Sequence, residues 1–107
     1  MGLNNRLWRS IRNGARARQI NFALTKSQAL ALFDGRCAMS GVPIQIATTS
    51  AGQGRGETTA SLDRINSSRG YTPDNVQWVH IEVNRMKNTL GKATFVQWCR
   101  RVAKHCD

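Results

Sequence analysis

The sequence predicts an α+β domain built around a strand–loop–strand–helix unit, with helices on either side. Three observations predict it. Thr58 to Ile65 (TTASLDRI) reads as a strand, and Val76 to Val79 reads as a second one, antiparallel to it, across a polar loop that holds Gly70, Pro73 and Asp74. The stretch from His80 to about Asn88 then reads as a helix. Both ends of the chain carry helical patterns of their own, one basic and one apolar-striped.

The elements follow in order. Residues 3–18 form a basic helix, in which Arg6, Arg9, Arg12 and Arg16 recur at steps of three and four while Leu7, Trp8 and Ile11 give a partial apolar stripe. Ile20 to Leu24 alternates and predicts a short strand. Thr25-Lys26-Ser27-Gln28 is a capping box, so a helix opens there and ends at Asp34-Gly35. Cys37 to Gly41 is a turn, a short strand follows over 42–46, and residues 47–57, rich in Gly, Ser, Thr and Gln, predict a mobile loop that carries Arg55. After the strand–loop–strand–helix unit comes a last helix over about 93–104, with Phe95, Val96, Trp98, Cys99 and Val102 as its apolar side. The whole is one domain over 1–107: a basic helical part over 1–36, a core over about 58–88, and the terminal helix.

Charge bounds the partners. Sixteen Lys and Arg face six Asp and Glu, for a net +10, and twelve of the sixteen are arginine, whose planar fork matches phosphate. That balance points to a polyanion first and to an anionic membrane surface second. Five arginines and no acid precede residue 19, which favours phosphate contact by the first helix, including Arg18. No run of 18 apolar residues exists, so no membrane-spanning helix is expected, and the start lacks the apolar core of a secretory signal. Three widely spaced cysteines (Cys37, Cys99, Cys106) suggest reduced thiols and a cytoplasmic setting.

The chemistry concentrates in residues 58–88. The run Ser61-Leu62-Asp63-Arg64-Ile65, then Gly70-Tyr71, Asp74-Asn75-Val76-Gln77-Trp78-Val79-His80 and Asn84-Arg85-Met86-Lys87 resembles the HNH (ββα-metal, or His-Me finger) endonuclease superfamily. It is most similar to a phage and bacterial branch with Asp-Arg in place of Asp-His. The turn at 37–41 resembles the knuckle that precedes the motif in relatives. The resemblance implies a ββα-metal module and a metal-dependent endonuclease acting on DNA, with RNA left open, as monomer or homodimer. Phosphodiester cleavage needs a cation at the phosphate, a water nucleophile and a proton acceptor. One Mg²⁺ or Mn²⁺ takes oxygen ligands, which Asp63 and Asn84 can supply, with Asn88 one turn further on. Asp63 and Asn84 match the family's metal positions, Asn88 can face the same metal or its waters, and Asn75 matches the asparagine that holds the loop and orients the base. Arg55, Arg69, Arg85 and Lys87 join the arginines of the first helix as expected nucleic-acid contacts.

Two departures qualify the resemblance. Arg64 stands where the family has its histidine base, and arginine stays protonated. It can grip the phosphate instead. His80, one turn before Asn84, is then the leading base, with its role as a helix-start hydrogen-bonding residue equally open and Glu57 and Tyr71 as further candidates. Relatives often carry two Cys-x-x-Cys knuckles, but the matching positions here are Cys37, Ser40, His80 and Val83, so a structural zinc is not expected. Low specificity and nicking follow from the lack of a recognition helix. The alternative is a non-catalytic basic nucleic-acid binder derived from a degenerate HNH nuclease, for which Arg64 is the best argument.

Overall fold

The computed structural model describes residues 2–107. Its elements run α1 (Asn5–Ala17), α2 (Lys26–Ala31), α3 (Ser50–Gly54), β1 (Ala60–Arg64), β2 (Val76–His80), α4 (Ile81–Lys87) and α5 (Lys92–Cys106). β1 and β2 form a two-stranded antiparallel sheet in which Leu62 faces Trp78 and Asp63 faces Gln77. α4 crosses both strands. This is the predicted α+β plan.

Local chemistry sets most element ends. Thr25 and Gln28 satisfy each other's backbone N–H groups at the start of α2, the capping box in full. Asn4 caps α1 by accepting from the Leu7 N–H, and its amide nitrogen donates to the Ala47 carbonyl at 2.7 Å and to Gln53 Oε1 at 3.0 Å. One buried side chain thus starts α1 and fastens it to the segment that carries α3. Gly70 is required by close approach: a Cβ there would stand 2.5 Å from the Asn21 carbonyl oxygen.

The core gathers Leu3, Leu7 and Ala15 of the N-terminal part, Ile44 and Ile46, and the inner residues of both strands. Trp78 is its centre. Its ring meets Phe33 edge-on at 5.8 Å, and its indole N–H donates to the Ala29 carbonyl, which ties β2 to α2.

Three expectations need correction. Residues 20–24 and 42–46 do not form strands; each contributes one isolated bridge, Phe22 with Tyr71 and Arg36 with Pro43. Both run against a single neighbour too briefly to build a ladder. The segment 47–57 is not all loop, because Thr49 caps the short helix α3 through the Gly52 N–H. The apolar side of α5 is not a buried face: Phe95 is the helix's one buried residue, while Trp98 is 52% exposed and Val102 58%. Periodicity marked the stripe but could not supply a surface to cover it. Among the described residues no helix is long and apolar enough to cross a membrane.

Candidate active site

Period-two alternation sends Ser61 and Asp63 to the same face of β1, and α4 lies across that face. Asn84 and Lys87, three residues apart on α4, meet them there. The Asn84 amide nitrogen donates to Ser61 Oγ at 2.6 Å, which leaves its carbonyl oxygen free. Lys87 Nζ donates to Asp63 Oδ1 at 3.0 Å and to the Arg64 carbonyl at 3.0 Å. Gln77, directly across the sheet, donates to Asp63 Oδ2 at 3.0 Å.

Asp63 and Lys87 are therefore a buried ion pair, with side chains 4% and 0% exposed. Two hydrogen bonds hold the carboxylate, one per oxygen, and about two of its four lone-pair directions stay open. The sequence reading set Lys87 on nucleic acid; a side chain with no exposure cannot reach it. The spacing already put Ser61 and Asp63 on one face of β1 and Asn84 and Lys87 on one face of α4, and the packing of α4 on β1 brings the four together.

Asn75 is buried, and its side chain makes three bonds across the β1–β2 connection. Oδ1 accepts from the Asn66 N–H at 2.9 Å, and Nδ2 donates to the Asn66 and Gly70 carbonyls. It pins the loop and touches none of the groups around Asp63. Arg64 helps from the other side: its Nη1 donates to the Ser67 and Arg69 carbonyls at 2.7 and 2.9 Å. Its guanidinium lies over the Tyr71 ring, 5.6 Å from the centroid. The Tyr71 hydroxyl in turn accepts from Arg18 Nη2 at 3.0 Å. One tyrosine thus holds two arginines, an arrangement that no sequence pattern signalled.

These groups enclose a polar cleft of about 80 Å³ lined by Arg18, Leu62, Asp63, Arg64, Ser67, Tyr71, Asn84 and Asn88. It adjoins a groove of about 280 Å³ that shares Arg18, Leu62, Tyr71 and Asn84 and runs along Leu7, Ser10, Ile11 and Gly14 of α1. Asp63, Arg64, Asn84 and Asn88, four residues expected at the site, come together here. Arg18 joins them, but the exposed Arg9, Arg12 and Arg16 do not. They are two residues out of step with the groove-lining positions, roughly 200° around the helix, and face away. Arg6 is exposed too and lies against Gly54 of α3.

His80 lines neither cavity. It is the N-cap of α4, and its Nδ1 accepts from the Glu82 N–H at 3.0 Å. The helix-start alternative describes its position, and Glu57 is also absent from the cleft, paired with Arg55. Arg55, Arg69 and Arg85 each bind a carboxylate of this chain, Glu57, Asp74 and Glu82 respectively, at 2.6–3.0 Å. Asp74, bonded by Thr72 and Arg69, is held below the usual carboxylate range.

The turn at 37–41 packs on β2, with the Ala38 N–H donating to the Trp78 carbonyl. Burial pushes the Cys37 thiol up. Hydrogen bonds from the Ser40 side chain and from the His80, Ser40 and Met39 backbone outweigh it and leave the thiol below its usual value. Among the described residues no three His, Cys, Asp or Glu side chains are grouped to hold a metal ion.

A hairpin with a pinned loop, crossed by a helix that meets the end of its first strand, defines the HNH-type ββα fold. A solved structure that carries it is the rare-cutting HNH restriction endonuclease PacI, described for its mechanism of DNA perturbation. The chain matches it with a TM-score of 0.63 over 92% of its own length and 75% of that chain, at 18% identity. No family model and no curated protein matches the chain.

Proposed function

We propose that this chain is a metal-dependent endonuclease that hydrolyses phosphodiester bonds in DNA and nicks with little sequence specificity. The observation that carries the reading is the cleft itself. Asp63, Asn84 and Asn88 face it with hard oxygen donors, while Arg18 and Arg64 bring two guanidinium groups to the same space. The PacI likeness supports DNA as the substrate class.

The donor set fits one Mg²⁺ or Mn²⁺ that keeps several waters, with Asp63 as the charged ligand and the free oxygen of Asn84 beside it. When bound, the ion would neutralise the phosphate and make a coordinated water more acidic. Lys87 and Gln77 fix the carboxylate in one orientation, so it is organised before substrate arrives. Arg18 and the unused edge of Arg64 bind phosphate oxygens and stabilise the charge that grows on them. Tyr71 is the acid–base group in the cleft besides Asp63, which takes over the part the sequence suggested for His80. Asn75 acts through the loop, as a positioning residue. A single site of this kind cuts one strand at a time.

One observation favours the second reading, a non-catalytic nucleic-acid binder: no imidazole lines the cleft. A plasmid nicking assay with Mn²⁺ or Mg²⁺, with and without chelator, separates the two. The expected result is metal-dependent nicking by wild type and its loss in Asp63→Asn, which keeps the shape of the side chain and an acceptor for Lys87 while removing the charge. Asp63→Ala is a poorer probe, because it removes the acceptor as well as the charge and leaves Lys87 wholly stranded, at a cost of about 3–5 kcal/mol. A folded Asp63→Asn protein that nicks at the wild-type rate would remove the central claim. Salt-sensitive binding without cutting in either metal would establish the binder.

A further inference from the structure

The ion pairs change where the protein's positive charge lies. Among the described residues four carboxylates are paired, and their partners are Arg55, Arg69, Arg85 and Lys87. These are the basic residues outside the N-terminal helical part that the sequence pattern, apart from Arg64, assigned to nucleic acid. Lys87 is spent within the fold, and each of the three exposed arginines faces a carboxylate that offsets its charge. Apart from Lys26 and Arg36, the charge not offset in this way sits on α1, in the cleft and on α5.

α5 holds Lys92, Arg100, Arg101 and Lys104, contains no acidic residue, and forms none of the ion pairs. It runs 15 residues with a single buried side chain. Its exposed Trp98 supports the Arg101 guanidinium 5.1 Å above the ring, which steadies that group while leaving its N–H edges open. The helix also begins at the site. The Lys92 N–H donates to the carbonyl of Ile65, the residue after Arg64, and Ser67 of the cleft donates to the Leu90 carbonyl.

We infer that α5 is a second phosphate-binding surface, gripping the backbone of the nucleic acid that enters the cleft, with Arg100, Arg101 and Lys104 as its contacts. This rests on the nucleic-acid reading above. α5 is anchored beside the cleft at its first turn, and Arg100, Arg101 and Lys104 follow about 12–18 Å along it at 1.5 Å per residue, a span that one duplex backbone entering the cleft can cover. The three outer arginines of α1 face away from the groove and cannot supply contacts along that span.

The test is the salt dependence of binding to a duplex DNA oligonucleotide, read by fluorescence anisotropy. Each phosphate contact removed lowers the slope of log K against log salt by about 0.9. Arg100, Arg101 and Lys104 are exposed, so their joint replacement by Ala leaves the fold alone, and the slope should fall by roughly three times that amount. Trp98→Ala should instead weaken binding by about two- to five-fold with little change in slope, because it removes support and no charge. An unchanged slope in the triple variant overturns the inference. If the α1 variant Arg9/Arg12/Arg16→Ala lowers the slope in the same assay, the functional reading survives that failure. Absence of any salt-sensitive binding by wild type would sink both. Sedimentation gives the competing outcome: a concentration-dependent dimer that Trp98→Ala dissolves, with the slope intact, would assign the face to a second copy of this chain and overturn the proposal.

Discussion

On the proposed reading, two residues of the site divide a task that one histidine performs in most of the resembling family. Arg64 occupies the position but cannot accept a proton, and half of its fork already holds the β1–β2 loop. Tyr71 puts a hydroxyl into the cleft with a guanidinium donating to it. His80 sits outside, with one ring nitrogen spent on capping α4. The pH–rate profile measured with Mn²⁺ should therefore be nearly the same for His80→Ala as for wild type, since removing a cap costs about 1 kcal/mol of stability and nothing in the cleft. Tyr71→Phe keeps the ring beneath Arg64 and loses the hydroxyl. Its rate should fall by about 10²–10⁴-fold, the size typical of losing a group that takes part in proton transfer. The reverse pattern would return the role to His80.

At the scale of elements, the hairpin matters because its loop delivers Arg64, Ser67 and Tyr71 to one place. Asn75 does most of the holding, with three bonds from a side chain that is 1% exposed. Asn75→Ala leaves one donor and two acceptors unmet, so urea unfolding should show a loss of about 2–4 kcal/mol. Cleavage should drop further than the folded fraction explains, because the freed loop no longer fixes the arginines. A stable variant with full activity would mean that the loop is held by the sheet alone. α4 contributes in a different way: its Asn84 and Lys87 reach the β1 face that carries Ser61 and Asp63, so the helix fixes the carboxylate and presents an amide oxygen at one stroke.

Across the whole molecule, charge is sorted by position. Four bases are consumed by internal pairs, Arg18 and Arg64 line the cleft, and the outer arginines of α1 face solvent on the far side of that helix. Attraction at a distance and chemistry at the cleft should then separate. Arg9/Arg12/Arg16→Ala should weaken DNA binding at low salt, and the lost rate should return at saturating DNA. Arg18→Ala should lower the saturated single-turnover rate as well, because on the proposed reading that group, which lines the cleft, grips the reacting phosphate. Equal saturated rates for both variants would remove Arg18 from the reaction.

The sequence by itself determined the two hairpin strands, the capping box of α2, the span of α1 and the order Asp63, Asn75, Asn84. Each depends on neighbours within a few residues, or on a motif whose spacing survives in one dimension. It also carried the Ser61/Asp63 and Asn84/Lys87 periodicities, although only folding brought the two faces together. What the tertiary structure decided was the state of each charged group. Lys87 looks like any surface lysine until α4 crosses β1. Arg55, Arg69 and Arg85 look free until a carboxylate is found beside them. The stripe on α5 looks like a core face until Phe95 proves to be its one buried residue. Burial and pairing depend on what lies across space, which local pattern does not encode; for a strongly basic chain, that decides which charges remain for a partner.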